Sequence, residues 1–204
     1  TSDLKSLLIA QFDSPTFTVL AQGDEISRPS WDNSGRIFFA EFGQGVTEIS
    51  EDGTLRIVRA DESSSGTTTQ IKQIEVAADG VRVAVVFSNG VVDELAIGAI
   101  SRTDTTTRII GLHRIERSIT QVRDIVWSTP TSIAALASDP LGGELLFDIS
   151  LNDGKVSTRS SPVGSRTLAV DGSGKIFVAV VDGAKQVIYQ QNGSSWIEIT
   201  QGTG

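Results

Sequence analysis

The chain has no cysteine and no methionine, and only one histidine in 204 residues. Without cysteine there is no disulfide framework, no thiolate metal site and no cysteine nucleophile. The missing thiols do not fix a compartment, because an extracellular fold with a large core needs no disulfide. The chain starts Thr1-Ser2 rather than with methionine, so it is expected to be a processed or trimmed piece of a longer polypeptide. Positive charge is also scarce: 17 Lys and Arg stand against 25 Asp and Glu, a formal net charge of −8. That balance argues against gripping DNA or RNA, which needs clustered cations to displace counterions, and against a basic patch on a membrane surface. No apolar run approaches the roughly 18 residues of a membrane span. Leu7-Leu8-Ile9-Ala10 is far too short.

What the chain does contain is a repeat. Short runs of Val, Ile, Leu and Phe alternate with glycine-bearing turns, the signature of hairpins in series. One turn recurs as Trp31-Asp32-Asn33-Ser34-Gly35-Arg36-Ile37-Phe38, as Ala77-Ala78-Asp79-Gly80-Val81-Arg82-Val83 and as Ala169-Val170-Asp171-Gly172-Ser173-Gly174-Lys175-Ile176-Phe177. Val126-Trp127-Ser128-Thr129-Pro130-Thr131-Ser132-Ile133 has the same layout, with Pro-Thr as the turn. Gly35 and Gly80 lie 45 residues apart, and Gly80 and Gly174 lie 94 apart, twice 47. Such a period is that of β-propeller blades. A second turn falls later in each unit, at Glu51-Asp52-Gly53, Asn152-Asp153-Gly154 and Gln191-Asn192-Gly193. In the second unit the corresponding Thr-rich stretch, Ile100 to Arg108, reads as an expanded loop.

The resulting expectation is an all-β β-propeller of four-stranded antiparallel blades, one domain over 1–204. The strands are placed at 27–31, 36–42, 45–50 and 54–59; at 71–77, 81–87, 91–100 and 107–113; at 121–127, 132–137, 143–150 and 155–160; and at 165–170, 175–181, 185–190 and 195–199. Leu4–Phe12 and Thr16–Ala21, joined by a turn at Asp13-Ser14-Pro15, read as the last half of an earlier blade. The chain then holds four full blades plus an N-terminal half blade, and the intact domain is expected to have five. Asp61–Gln70, rich in Ser, Thr and Gly, reads as a flexible connector. Second strands such as Arg36–Phe42 and Val81–Phe87 are almost wholly apolar, which suits burial on both faces, whereas fourth strands such as Thr54–Arg59 and Lys155–Ser160 turn polar, which suits an outer rim.

Three stretches of this repeat resemble one family: Ser27-Arg28-Pro29-Ser30-Trp31-Asp32-Asn33-Ser34-Gly35-Arg36-Ile37; Ile74-Glu75-Val76-Ala77-Ala78-Asp79-Gly80-Val81-Arg82-Val83-Ala84-Val85-Val86 with Leu95 to Arg102; and Val122-Arg123-Asp124-Ile125-Val126-Trp127-Ser128 with Ser132 to Leu136. In order and spacing they are similar to the C-terminal β-propeller domain of the actinobacterial lipoprotein LpqB. The final unit matches more loosely. The resemblance implies an extracytoplasmic accessory protein, attached to the cell membrane through a lipid anchor upstream of this chain. It also implies a link to the MtrA–MtrB two-component system through the sensor kinase MtrB, with no catalytic residues to carry over.

The residues themselves offer little chemistry. His113 sits on an outer strand with no second His or Cys to complete a metal site, and no Gly-x-Ser-x-Gly elbow accompanies it. Some five-bladed propellers are glycosidases, and such chemistry needs two carboxylates across the scissile bond. Candidates are Asp32, Glu41, Asp93, Glu94, Asp124, Glu144 and Asp182. Asp32 and Asp182 read as turn residues, and Asp124, on a first strand, is the one expected nearest an axis. Trp31 and Trp127 read as repeated packing residues, and Trp196 as an exposed one. Asp24, Glu25, Asp61 and Glu62 read as solvated surface. No catalytic, cofactor or metal residues are assigned. The leading expectation is a non-catalytic protein-interaction module. A carbohydrate-active or glycan- or peptide-fragment-binding propeller stands as the alternative. Neither nucleic acid nor direct membrane insertion is expected, and the oligomeric state is left open.

Overall fold

A computed structural model describes residues 5–10, 16–23, 25–41, 43–60, 70–115, 119–139, 141–183 and 185–201. The turn expected at Asp13-Ser14-Pro15 and most of the connector at Asp61–Gln70 lie outside them. The described chain is all strand: β1 (Lys5–Ala10), β2 (Phe17–Gly23), β3 (Ser30–Trp31), β4 (Ile37–Glu41), β5 (Gly45–Ile49), β6 (Leu55–Ala60), β7 (Gln70–Val76), β8 (Arg82–Ser88), β9 (Asp93–Arg102), β10 (Thr107–Arg114), β11 (Thr120–Thr129), β12 (Ser132–Ser138), β13 (Glu144–Ser150), β14 (Val156–Ser160), β15 (Ser165–Val170), β16 (Ile176–Asp182), β17 (Lys185–Asn192) and β18 (Ser195–Gln201). Two compact units form, Thr1–Gly90 with Leu95–Ile115, and Val91–Glu94 with Glu116–Gly204.

In the first unit, β3 to β6 and β7 to β10 are antiparallel meanders of four strands each. Strand period decides what they bury, because neighbouring residues face opposite ways. Phe38, Ala40, Val46 and Val58 of the first meander pack with Ile71, Ile74, Val76, Val83, Val85 and Phe87 of the second. The opposite face, Ile37, Phe39 and Ile49, is covered by Leu7, with Ile9, Leu20 and Ala21 packed against it from the β1–β2 hairpin. In the second unit, Val126, Ala134, Leu136 and Leu146 of the β11–β14 meander pack against Leu168, Ile176, Val178 and Val180 of the β15–β18 meander. Each large side chain so buried contributes roughly 1.5–3 kcal/mol. The second strands β4, β8 and β12 are buried almost end to end, and the fourth strand β14 is mostly exposed.

Three features depart from the expected strand map. First, the two meanders of the first unit are one eight-stranded sheet, because β10 pairs parallel with β6 at Arg108↔Arg59 and Ile109↔Ala60. The free edges of two fourth strands satisfy each other. Second, β3 has two residues instead of five. Pro29 has no N–H to give the ladder, and the Ser27 hydroxyl takes the Ala40 N–H at 2.9 Å in place of a backbone carbonyl. Third, the Thr-rich stretch is a tight turn rather than an expanded loop. Thr103 N–H donates to Thr106 O at 2.8 Å, and Thr106 N–H to the Thr103 hydroxyl at 3.0 Å. The threonine side chains supply the bonds that a longer loop would have to find in water.

The repeated Asp turns are built alike. Asp32 Oδ1 accepts from Ser34 N, Ser34 Oγ and Arg36 N at 2.9, 2.7 and 3.1 Å. Asp171 Oδ1 accepts from Ser173 N, Ser173 Oγ and Lys175 N at 2.9, 2.7 and 3.0 Å. Each turn closes through a positive-φ glycine, Gly35 at 76° and Gly174 at 82°. At Gly174 a Cβ would also lie 3.0 Å from the Ser128 carbonyl oxygen, whereas at Gly154, with φ 65°, it would meet open space. Gly154→Ala should therefore cost only the left-handed penalty, about 1–2 kcal/mol. Gly174→Ala should lose at least about 1 kcal/mol more through the added clash. Urea unfolding of the two variants measures the difference.

Candidate functional site

A dense polar cluster lies in the first unit. Glu48, on β5, shares its face with Val46 and is completely buried. Its Oε1 receives Arg36 Nη1 at 2.8 Å, and its Oε2 receives the Thr107 hydroxyl at 2.5 Å. Arg102, at the end of β9, places Nε 3.6 Å from Glu48 Oε1. Its Nη2 donates to Asp32 Oδ2 at 3.0 Å and its Nη1 to Gly80 O at 2.6 Å. The guanidinium also stands 5.4 Å from the centre of the Phe38 ring. Two cations face two carboxylates, so the cluster is neutral and bonded internally. Glycoside hydrolysis needs one carboxyl kept as an acid and another left as a base or nucleophile. Here Asp32 and Glu48 face the same arginine. The arrangement clasps the two meanders together.

Asp124 also serves as a link. Its Oδ1 accepts from Ile125 N at 3.0 Å and its Oδ2 from Leu168 N at 2.7 Å, tying β11 to β15. Ser30 does the same in the first unit, where its hydroxyl accepts Val76 N at 2.7 Å and ties β3 to β7. In both units a side-chain oxygen on one first strand accepts from an N–H of the next first strand, which ties the two strands together.

The other candidates are dispersed. Glu144 pairs with Arg123 at 2.6 Å and accepts Gly164 N at 3.1 Å. Glu41 ends β4, beside Gly23. Asp93 is buried and Glu94 half-buried at the start of β9. Asp182 ends β16 rather than sitting within a turn, and its side chain lies outside the described residues, as do Asp24, Asp61 and Glu62. Glu25 and His113 are exposed. Among the described residues no group of three or more His, Cys, Asp or Glu could hold a metal ion. Two of the three tryptophans differ from expectation. Trp31 is 50% exposed, because the strand alternation that sends Ser30 toward β7 turns Trp31 away. Trp196 packs against the second unit's core and donates its indole N–H to Ser160 O at 3.0 Å. Trp127 is half-buried.

Sequence reasoning missed Glu48, Arg102 and Ser30. One signal was present: Glu48-Ile49-Ser50 and Asp148-Ile149-Ser150 repeat an acid at the same place in a third strand. Asp148 likewise pairs with an arginine, Arg159, which reaches on to Gly193 O at 3.0 Å.

Removing Glu48 leaves Arg36 and Arg102 without their buried partner. Glu48→Ala should lose about 3–5 kcal/mol, and Glu48→Gln less, because the amide keeps a hydrogen-bonding shape; urea unfolding checks both. The turn carboxylates contribute to the acid limb of stability. The Ser50 hydroxyl and then the Thr54 N–H hold Asp52 from the ordinary 3.8 down to about 2. The Ser173 hydroxyl and the Lys175 N–H lower Asp171, and the Ser150 hydroxyl and the Lys155 N–H lower Asp153. A carboxylate lowered by folding stabilises the fold above its unfolded value and loses that contribution as pH falls through its folded one. Stability should drop between pH 3.8 and about 2, and Asp52→Asn should flatten that drop in acid titrations followed by circular dichroism.

The model of one protein family, the lipoprotein LpqB β-propeller domain, matches residues 1–204. Among curated proteins none matches the chain. Solved structures share the fold at low identity. A TolB-like protein of Agrobacterium tumefaciens aligns with a TM-score of 0.69 at 13% identity, over 92% of this chain and 66% of that one. A gluconolactonase of Xanthomonas campestris gives 0.66 at 12%, again over 92% and 66%. The β-propeller domain of the trilobed protease of Pyrococcus furiosus, described as having an open velcro topology, gives 0.53 at 11%, over 86% and 57%. The chain thus spans no more than 66% of these structures.

Proposed function

This chain belongs to the LpqB β-propeller domain family, and from that premise we propose that it is a non-catalytic interaction module. In this reading it is part of an extracytoplasmic lipoprotein anchored through an upstream lipid, and its partner is the extracytoplasmic domain of the sensor kinase MtrB. The meanders are blades, and the intact domain has five. The observation that carries the reading is the use made of Asp32, Asp124 and Glu144. Each is spent on a turn, an inter-strand link or an ion pair, which leaves them to scaffold a surface. Rigid strands with loops at their ends suit protein recognition.

A second reading, a carbohydrate-active or glycan- or peptide-fragment-binding propeller, draws on the half-exposed indole of Trp31, a surface on which a sugar ring can stack. The fold it shares with a gluconolactonase is compatible with either reading, since one fold hosts many functions.

Retention of the purified sensor-kinase domain on immobilised chain, and on the whole lipoprotein, tests the first reading. Both should retain it. Retention by the whole lipoprotein alone would place the site in the remainder of the protein, and retention by neither would end the partner assignment. A thermal-shift screen with cell-wall glycan and peptide fragments tests the second: a shift abolished by Trp31→Ala would favour it.

A further inference from the structure

We propose that the end of the second unit formed by the β12–β13 and β14–β15 connections is a docking face for a protein segment that presents aliphatic side chains and little net charge. The inference rests on the interaction-module reading and names its surface. The two ends of the β11–β14 and β15–β18 meanders differ in chemistry. One end carries Thr129-Pro130-Thr131, Asn152-Asp153-Gly154, Asp171-Gly172-Ser173-Gly174 and Asn192-Gly193-Ser194, all polar turns. The other end carries Leu141, 95% exposed, and Val163, 91% exposed.

Single exposed aliphatics are ordinary, but these two stand on turns that are bonded to each other. Asp139 Oδ1 accepts Leu141 N at 2.9 Å and Gly143 N at 2.7 Å, which fixes the Leu141 turn. Glu144, directly after that turn, accepts Gly164 N at 3.1 Å and so holds the Val163 turn. Gly164 O in turn accepts Val181 N at 3.4 Å. Arg123 braces the set from β11, with Nη2 2.6 Å from Glu144 and Nη1 3.0 Å from Ser165 O. The same strand, β11, is bulged between Thr120 and Asp124. Within that bulge Gln121 has φ 49°, and among the described residues no other non-glycine has a positive φ. Bulges re-aim side chains, and such strained backbone concentrates at functional sites.

The charge at this end favours a protein occupant. Glu144 is neutralised by Arg123 and the Asp139 carboxylate caps its own turn. Among the described residues no excess of cations accompanies the aliphatic tips, as an anionic lipid surface would require.

The test uses the whole lipoprotein in its own membrane, with a photoreactive phenylalanine derivative in place of Leu141 or Val163. Asn152 and Ser194 are replaced in the same way to represent the polar end. Protein adducts are expected from positions 141 and 163 and not from 152 and 194. With the photoreactive group at 141, Val163→Thr should lower the adduct yield, and with it at 163, Leu141→Asn should do the same, each by about tenfold. Melting temperatures should stay within about 2 °C of the parent, because the replaced side chains are exposed. Adducts from both ends alike, from the polar end alone, from lipid alone or from nowhere would overturn the proposal, as would an unchanged yield in the variants. Peptide sequencing of the adduct separates the two readings. Sensor-kinase peptides support the proposed partner; peptides of another protein remove that partner and keep this face only where the captured segment is aliphatic with little net charge, and a charged or polar captured segment overturns the proposal.

Discussion

A four-stranded meander whose central strands are apolar on both sides has two faces to hide from water and can hide neither by itself. Everything else in this chain follows from that constraint. Phe38 and Ala40 point one way into the second meander, and Ile37 and Phe39 point the other way toward the β1–β2 hairpin. A single strand thereby serves two cores. The same logic repeats in the second unit, where Ala134 and Leu136 meet Val178 and Val180. Stacking is the condition of folding, so the rims and turns are left to carry whatever else the molecule does.

Stacking by apolar contact alone would leave the first strands with unpaired N–H groups along one edge. Ser30 and Asp124 answer this with side-chain oxygens, and the Glu48–Arg102–Asp32 clasp adds a directional element to an otherwise slippery interface. A buried ion pair is weak evidence for stability, and fixing register is its better-attested use. Other carboxylates among the described residues serve locally: in exposed turns Asp52 and Asp153 organise their own hairpins.

Local chemistry was legible in the sequence, and long-range pairing was not. The Asp32 and Asp171 turns could be read directly because their bonds close within four residues. The alternation of β4 and β8 could be read because strand period is a property of neighbours. The parallel contact of β6 with β10 carries no such signature, since two edge strands meet there across the fold. The Thr103–Thr106 turn lacks glycine and so looked like a loop. Glu48 and Arg102 lie 54 residues apart, and only the packed sheets bring them together. Trp31 was misread because β3 stops after two residues, so the side of the strand on which an aromatic emerges could not be inferred from a longer ladder. The exposed tips at Leu141 and Val163 look, in sequence, like ordinary residues of polar connections.

The two-residue parallel seam between β6 and β10 has a consequence beyond geometry. Repeat proteins commonly unravel one unit at a time, since each repeat touches only its neighbours. Here Arg59 and Ala60 are laced to Arg108 and Ile109, and the clasp at Glu48 joins the same pair of meanders at a separate point. Neither meander can peel away without breaking the seam and the clasp that it shares with the other. Strands β3 to β10 are therefore expected to open as a single cooperative block, a foldon twice the size of one repeat, in which a loss at either meander is felt by both.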